Sequence, residues 1–116
     1  SGYGGDLLHG EAVSIGMVLA FQLSARLGLC DGADADRVVA HLAALGLPTT
    51  AAHLPPAARQ PDALLDNMSR DKKMKQGRLN LILARGIGRA FVTADVLPGE
   101  ISDLLADFLN AEGDTL

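Results

Sequence analysis

The stretch that decides the fold is YGGDLLHGEAVSIGMVLAFQLSARLGL, residues 3–29. It begins with glycines, passes His9 and Glu11, and continues as an almost unbroken apolar run as far as Gly28. A glycine directly after such a run is typical of a helix carboxyl terminus. The pattern predicts a helix from about Leu8 to Leu27 that is apolar on nearly all sides, as expected of the central helix of a bundle.

Composition restricts the class of protein. The 116 residues suffice for one domain, and with 48% hydrophobic and 21% charged residues we expect a globular fold. The net charge is −4 and no basic run carries interleaved aromatics, so we expect no nucleic-acid partner. The apolar run is shorter than the ~20 residues that cross a bilayer, so we expect no membrane partner. The single cysteine favours a reducing compartment, and we predict a cytoplasmic protein.

Three more helices and a hairpin are predicted downstream. Apolar residues recur at helical spacing in residues 34–46, 61–73 and 98–110. The segment 47–61 contains four of the five prolines and is predicted to be an ordered, turn-rich connector. In residues 77–93, alternating leucines precede the turn sequence RGIG, which indicates a β-hairpin. The sequence therefore predicts a mainly α fold with one small hairpin.

His9 and Glu11 are the first candidates for chemistry. Two residues apart on a helix, their side chains diverge by about 200° around the axis, so they cannot chelate one metal ion together. The positive end of a helix keeps an imidazole neutral, which suits metal binding, and it also suits a carboxylate in the first turn. From the residues alone, His9 is either a polar residue at the helix start or one ligand of a metal site completed from elsewhere.

A second candidate is the basic segment SRDKKMKQGR, residues 69–78. It contains five cations, namely Arg70, Lys72, Lys73, Lys75 and Arg78. Such a cluster can solvate a surface, or it can bind an anion such as phosphate. The remaining polar candidates, His41, His53 and Cys30, show no ligand or nucleophile pattern, and we expect surface or packing roles for them.

Four segments in this order and at these separations resemble the carboxyl-terminal domain of 3-dehydroquinate synthase. They are GYGGDLLHGEAVSIGMVLA, LPT, RDKK and RLNLILARGIGRAFV. The likeness runs over essentially the whole chain. It implies that residues 1–116 form the helical carboxyl-terminal domain of the dehydroquinate synthase-like fold. An amino-terminal NAD-binding domain, which members of that family carry, would then be absent from this chain.

The resemblance also implies an activity. Members of the family are lyases of the shikimate pathway, and so of aromatic amino acid biosynthesis. They convert 3-deoxy-arabino-heptulosonate 7-phosphate, a small sugar phosphate, to 3-dehydroquinate and phosphate. They use NAD, held mainly by the amino-terminal domain, and Zn²⁺ or Co²⁺. A homodimer is expected for the full-length enzyme, and this chain alone is expected to be inactive.

Site residues follow from the same resemblance. His9 matches the histidine of the HGE motif, a zinc ligand whose partner ligands lie in upstream segments. The DKK motif matches a segment that places a lysine against the substrate's phosphate, and we favour Lys73 over Lys72. Two alternatives stay open: a related sugar-phosphate cyclase such as a 2-deoxy-scyllo-inosose synthase, and a helical interaction module without catalysis.

Overall fold

The computed structural model describes residues 9–69 and 80–114. Within these ranges the helices are α1 (His9–Arg26), α2 (Gly32–Ala44), α3 (Pro61–Met68) and α4 (Pro98–Asp114). The strands β1 (Leu81–Ala84) and β2 (Ala90–Thr93) pair as an antiparallel hairpin. The mainly α fold class with a small hairpin is confirmed.

Helix α1 is the centre of the molecule, as its all-round apolar sequence predicts. It contacts α2, α3, α4 and β1. Its largest buried side chains are fully enclosed, and they are Ile15, Val18, Leu19 and Leu23. Leu104 of α4 and Leu64 of α3 belong to the same core cluster. None of the helices in the described ranges is long and apolar enough to cross a membrane.

Helices α1 and α2 end in the same way. Gly28 and Gly46 follow them with φ of 75° and 79°, a conformation that costs glycine little. After each glycine, one backbone N–H reaches back five residues, from Leu29 to Ser24 and from Leu47 to Leu42. These bonds satisfy helix-end carbonyls in the Schellman arrangement. The predicted helix stops at both glycines are therefore confirmed.

The proline-rich connector between α2 and α3 is ordered, as predicted. It contains two short 3₁₀ turns, Ala51–His53 and Pro56–Ala58. The hydroxyl of Ser14, fully buried on α1, donates a hydrogen bond of 2.7 Å to the carbonyl of Pro48. This bond fixes the start of the connector against the first half of α1.

Helix α3 is shorter than the sequence predicts. A helix over residues 61–73 is expected, but it ends at Met68 because Ser69 is extended, with φ −87° and ψ 142°. Ser69 instead forms an isolated antiparallel bridge with Leu81. The prediction is wrong at Ser69 because a partner distant in sequence outweighs local helical preference.

The hairpin packs one face on α1. Leu81, Leu83 and Ala84 of β1 are buried, whereas Ile82 is exposed. The hydroxyl of Ser24 on α1 accepts a hydrogen bond of 2.9 Å from the backbone N–H of Ala84. The leucine alternation thus predicts both the strand and its buried face.

Candidate functional site

The first turn of α1 carries the residue that the sequence singles out for metal binding. His9 is the first residue of α1 as described, and Glu11 lies in the same turn. The side chain of His9 is outside the described part of the structure. That His9 binds a metal ion therefore stays a prediction from the sequence.

Glu11 lines a recess of about 330 Å³ beside this turn. The end of α2 and the connector supply its other walls, including Pro48 and His53. Within these walls, the backbone N–H of Thr49 donates to Nδ1 of His53 at 3.5 Å. The recess therefore brings a carboxylate and an imidazole together beside the first turn of α1.

Sequence reasoning missed this recess. His53 is exposed, in line with the surface role expected for it, but its position near Glu11 was not foreseen. The two residues are distant in the chain and come together because Ser14 holds the carbonyl of Pro48. No periodicity or motif in the sequence signals that bond.

The lysines predicted to bind phosphate lie outside the described residues, and so do the other cations of residues 70–79. The two ends of that segment are nevertheless defined. The chain leaves the described part at Ser69 and returns at Asn80, and the bridge between Ser69 and Leu81 holds the ends together. Lys72 and Lys73 therefore belong to a segment that is closed at its base.

The base of that segment lies against α1. A Cβ atom built on Gly16 would overlap the carbonyl oxygen of Asn67, two residues before Ser69. Gly16 is seven residues from His9, or about 10 Å along the helix. The base of the segment that contains Lys72 and Lys73 therefore lies against the first half of α1.

Within residues 9–69 and 80–114, no group of three His, Cys, Asp or Glu side chains has the geometry to hold a metal ion. Cys30 is half-buried, and its Sγ lies 3.9 Å from the carbonyl oxygen of Phe21. Burial, and then the charges of Asp34 and Asp31, raise the pKa of its thiol. The non-catalytic role expected for Cys30 is consistent with that environment, because a reactive thiol needs a lowered pKa.

Comparison of the sequence with known proteins identifies the family of this chain. A family model described as 3-dehydroquinate synthase C-terminal matches residues 1–74. The chain belongs to the 3-dehydroquinate synthase C-terminal family. It is 53% identical over 109 residues to the 3-dehydroquinate synthase of Jannaschia sp. (strain CCS1), and 51% identical over 109 residues to that of Ruegeria pomeroyi. Each of these matches covers 94% of this chain and 30% of the relative.

The 3-dehydroquinate synthase of Paracoccus denitrificans is 50% identical over 106 residues, which are 91% of this chain and 29% of that protein. The chain thus spans about 30% of the length of the curated 3-dehydroquinate synthases it matches. The family resemblance seen in the sequence is confirmed.

Proposed function

We propose that this chain is the carboxyl-terminal domain of a 3-dehydroquinate synthase. In the full-length protein, meaning this chain joined to the preceding chain that its relatives carry, it would help convert 3-deoxy-arabino-heptulosonate 7-phosphate to 3-dehydroquinate and phosphate. The reaction belongs to a lyase of the shikimate pathway. The observation that carries the proposal is the contact of Gly16 with Asn67, which brings the base of the lysine segment to the half of α1 that begins at His9.

His9 is proposed to be one ligand of a metal site, Zn²⁺ or Co²⁺. Its residue type and its place at the positive end of α1 fit a neutral nitrogen ligand. The other ligands would come from the preceding chain. A bound Zn²⁺ supplies Lewis-acid polarisation of substrate oxygens. The part played by this chain is to hold one ligand on a rigid, deeply packed helix.

Lys73, with Lys72 as second choice, is proposed to bind the phosphate of the substrate. An ammonium group is a compact charge that suits a phosphate oxygen without demanding a bidentate geometry. The lysine would bind and orient the substrate rather than transfer a proton. The closed base at Ser69 and Leu81 supports this role, because a segment pinned at both ends loses less entropy on binding.

The remaining parts of the proposal concern the full-length protein. NAD would be bound mainly by the preceding chain, as the resemblance to 3-dehydroquinate synthase implies. A substrate site divided between two domains cannot work with one, so residues 1–116, as a single domain, would be inactive alone. We further propose a homodimer in the cytoplasm, acting on a small sugar phosphate.

A direct test measures 3-dehydroquinate formation by the full-length protein. We expect turnover with the heptulosonate phosphate and loss of both activity and tight Zn²⁺ binding in His9→Ala, measured by calorimetric titration. His41→Ala serves as a matched control, since that histidine is exposed on α2. Unchanged Zn²⁺ affinity in His9→Ala would contradict the ligand assignment. Formation of a different cyclic product would favour the related cyclase.

The lysine assignment has its own test. Lys73→Gln and Lys72→Gln are compared with Lys75→Gln in the same segment. We expect Lys73→Gln to raise KM by about 10- to 100-fold, as the loss of one charged contact implies, with a smaller effect on kcat. A larger rise in Lys72→Gln would exchange the two roles. Equal, small effects in all three variants would mean that the lysines of this segment only keep the surface solvated and do not bind the phosphate.

A further inference from the structure

Helix α1 exposes an apolar stripe on one side although it is the central helix. Val13 and Met17 are four residues apart, so they lie on one face, and they are 43% and 38% exposed. Phe21, four residues further along the same face, is half-buried. The sequence predicts this, because a helix apolar on all sides needs more neighbours than the chain supplies. Among the described residues, neighbouring side chains cover this face only in part.

The stripe opens onto a groove of about 660 Å³, which we call the outer groove. Met17 and Phe21 form one wall, and Val38 and Ala40 of α2 belong to the opposite wall. Ile87, in the turn between β1 and β2, also lines it and is 48% exposed. Ile87 thus joins Met17 and Phe21 in one contiguous, partly exposed apolar surface, which is the kind of patch that marks a contact site.

We propose that the outer groove is the seat of a helix from the chain that directly precedes Ser1 in the full-length protein. This inference rests on the proposed function. The relatives are much longer than the segment matched, and the matching family is a carboxyl-terminal one, so their additional chain lies mainly upstream. That chain therefore leads into α1 from its amino-terminal side. The exposed stripe begins at the same end of α1, with Val13.

The direction of the chain fits this occupant. Since α1 follows the preceding chain, a helix that packs along the stripe and then leads into α1 runs antiparallel to α1. Such an upstream helix would pass Phe21, then Met17, then Val13 before the chain enters α1. Its apolar face would remove the side chains of the stripe from water, which is the main driving force for such packing. Arg37 and His41 of α2, which also line the outer groove, would face this helix.

Cysteine labelling in the full-length protein tests the proposal. Met17→Cys lies in the outer groove, and Leu97→Cys is a matched control at an exposed leucine that does not line it. We expect maleimide to react with Met17→Cys more slowly than with Leu97→Cys by about tenfold or more, followed peptide by peptide in a mass spectrometer. Equal rates in the folded protein would overturn the proposal.

A cross-linking measurement identifies the occupant. Met17 is replaced by p-benzoylphenylalanine in full-length protein mixed from light and heavy isotope-labelled chains. Cross-links to peptides upstream of Ser1 in the same chain are expected. Cross-links between a light and a heavy chain would overturn the proposal and assign the groove to a second copy.

Assay of 3-dehydroquinate formation on the same preparations separates this inference from the proposed function. If the enzyme is active but its Met17→Cys variant labels as rapidly as Leu97→Cys, the proposed helix does not occupy the outer groove, and the proposed function stands. A protected Met17→Cys, with upstream cross-links, in a protein that never forms 3-dehydroquinate would refute the function and leave the groove intact.

Discussion

The carbonyl oxygen of Asn67 lies directly over the Cα of Gly16, so α3 meets α1 at the one place in this turn where α1 has no side chain. A glycine inside a helix costs about 1 kcal/mol relative to alanine. Here that cost accompanies a close approach of the two helices. The approach holds the end of α3 against α1, and hence the start of the segment with Lys72 and Lys73.

We therefore predict that Gly16→Ala destabilises the full-length protein by about 1–2 kcal/mol. The better helix propensity of alanine is outweighed because the overlapping atom is backbone and cannot rotate away. The new methyl group should push α3 outward and raise KM for the sugar phosphate. The midpoint of urea unfolding and steady-state kinetics check both effects.

Gly99→Ala is the matched control, since a Cβ there meets no atom within 4 Å and Gly99 lies in the first turn of α4. We expect its stability to be unchanged or raised by up to about 1 kcal/mol. A stabilised Gly16→Ala would show that α3 moves aside without cost, contrary to the packing described above.

Much of the fold could be predicted from the sequence because its signals are local. Gly28 and Gly46 end α1 and α2 where expected, since only a glycine adopts their positive φ without strain. The leucine alternation of β1 predicts the hairpin, since its period of two places one face inward. The spacing in α4 predicts its buried stripe, including Leu104 and Phe108.

What the sequence could not give depends on pairs of residues distant in the chain. Helix α3 ends early because Ser69 pairs with Leu81, and no local pattern distinguishes Ser69 from a helical residue. The recess with Glu11 and His53 depends likewise on the bond from Ser14 to Pro48. The roles of His9, Lys72 and Lys73 stay predictions, because they came from family resemblance and lie on side chains that the structure does not describe.

A buried hydroxyl gives the next prediction. Ser24 on α1 donates to the carbonyl of Ala20 at 2.6 Å and accepts from the N–H of Ala84 at 2.9 Å. Ser24→Ala leaves a buried N–H on β1 without its partner, which costs about 1–3 kcal/mol. We expect the amide of Ala84 to exchange with deuterium faster in the full-length variant, measured on peptides that cover β1.

Ser102→Ala is the control for that experiment, because Ser102 is exposed on α4. Its effect on stability should stay within about 0.5 kcal/mol, and exchange in β1 should not change. Unaltered exchange at Ala84 in Ser24→Ala would mean that the hydroxyl does not carry the link between α1 and β1.

The ion pair between α1 and α4 should contribute little. Nη2 of Arg26 lies 2.7 Å from Oδ2 of Asp107, but the two side chains are 41% and 66% exposed. Water and salt screen such a pair, so Asp107→Asn should lower the free energy of unfolding by less than about 0.5 kcal/mol. Thermal unfolding in low salt and in about 1 M NaCl checks this, with the difference vanishing at high salt. A loss that persists at high salt would point to a packing role instead.

The thiol of Cys30 should react slowly near neutral pH. Burial raises its pKa, and the negative charges of Asp34 and Asp31 raise it further. The protonated form, which is not nucleophilic, therefore persists to higher pH than in an ordinary cysteine. The curve of alkylation rate against pH is expected to shift to higher pH. Iodoacetamide labelling of the Cys30 peptide, from about pH 7 to pH 10, measures this shift in the full-length protein.

Replacing Asp34 by asparagine separates the effect of its charge on the pKa of Cys30 from the effect of burial. Asp34→Asn should move the midpoint of the Cys30 curve downward, because one repulsive charge is gone, but not to the ordinary value, because burial is the larger cause. Asp103→Asn, at an exposed carboxylate on α4, should leave the curve unchanged. If Asp34→Asn brings Cys30 to the rate of a free thiol, electrostatic repulsion rather than burial protects it. A midpoint below the ordinary value in the unsubstituted protein would contradict the described environment and make Cys30 a candidate nucleophile.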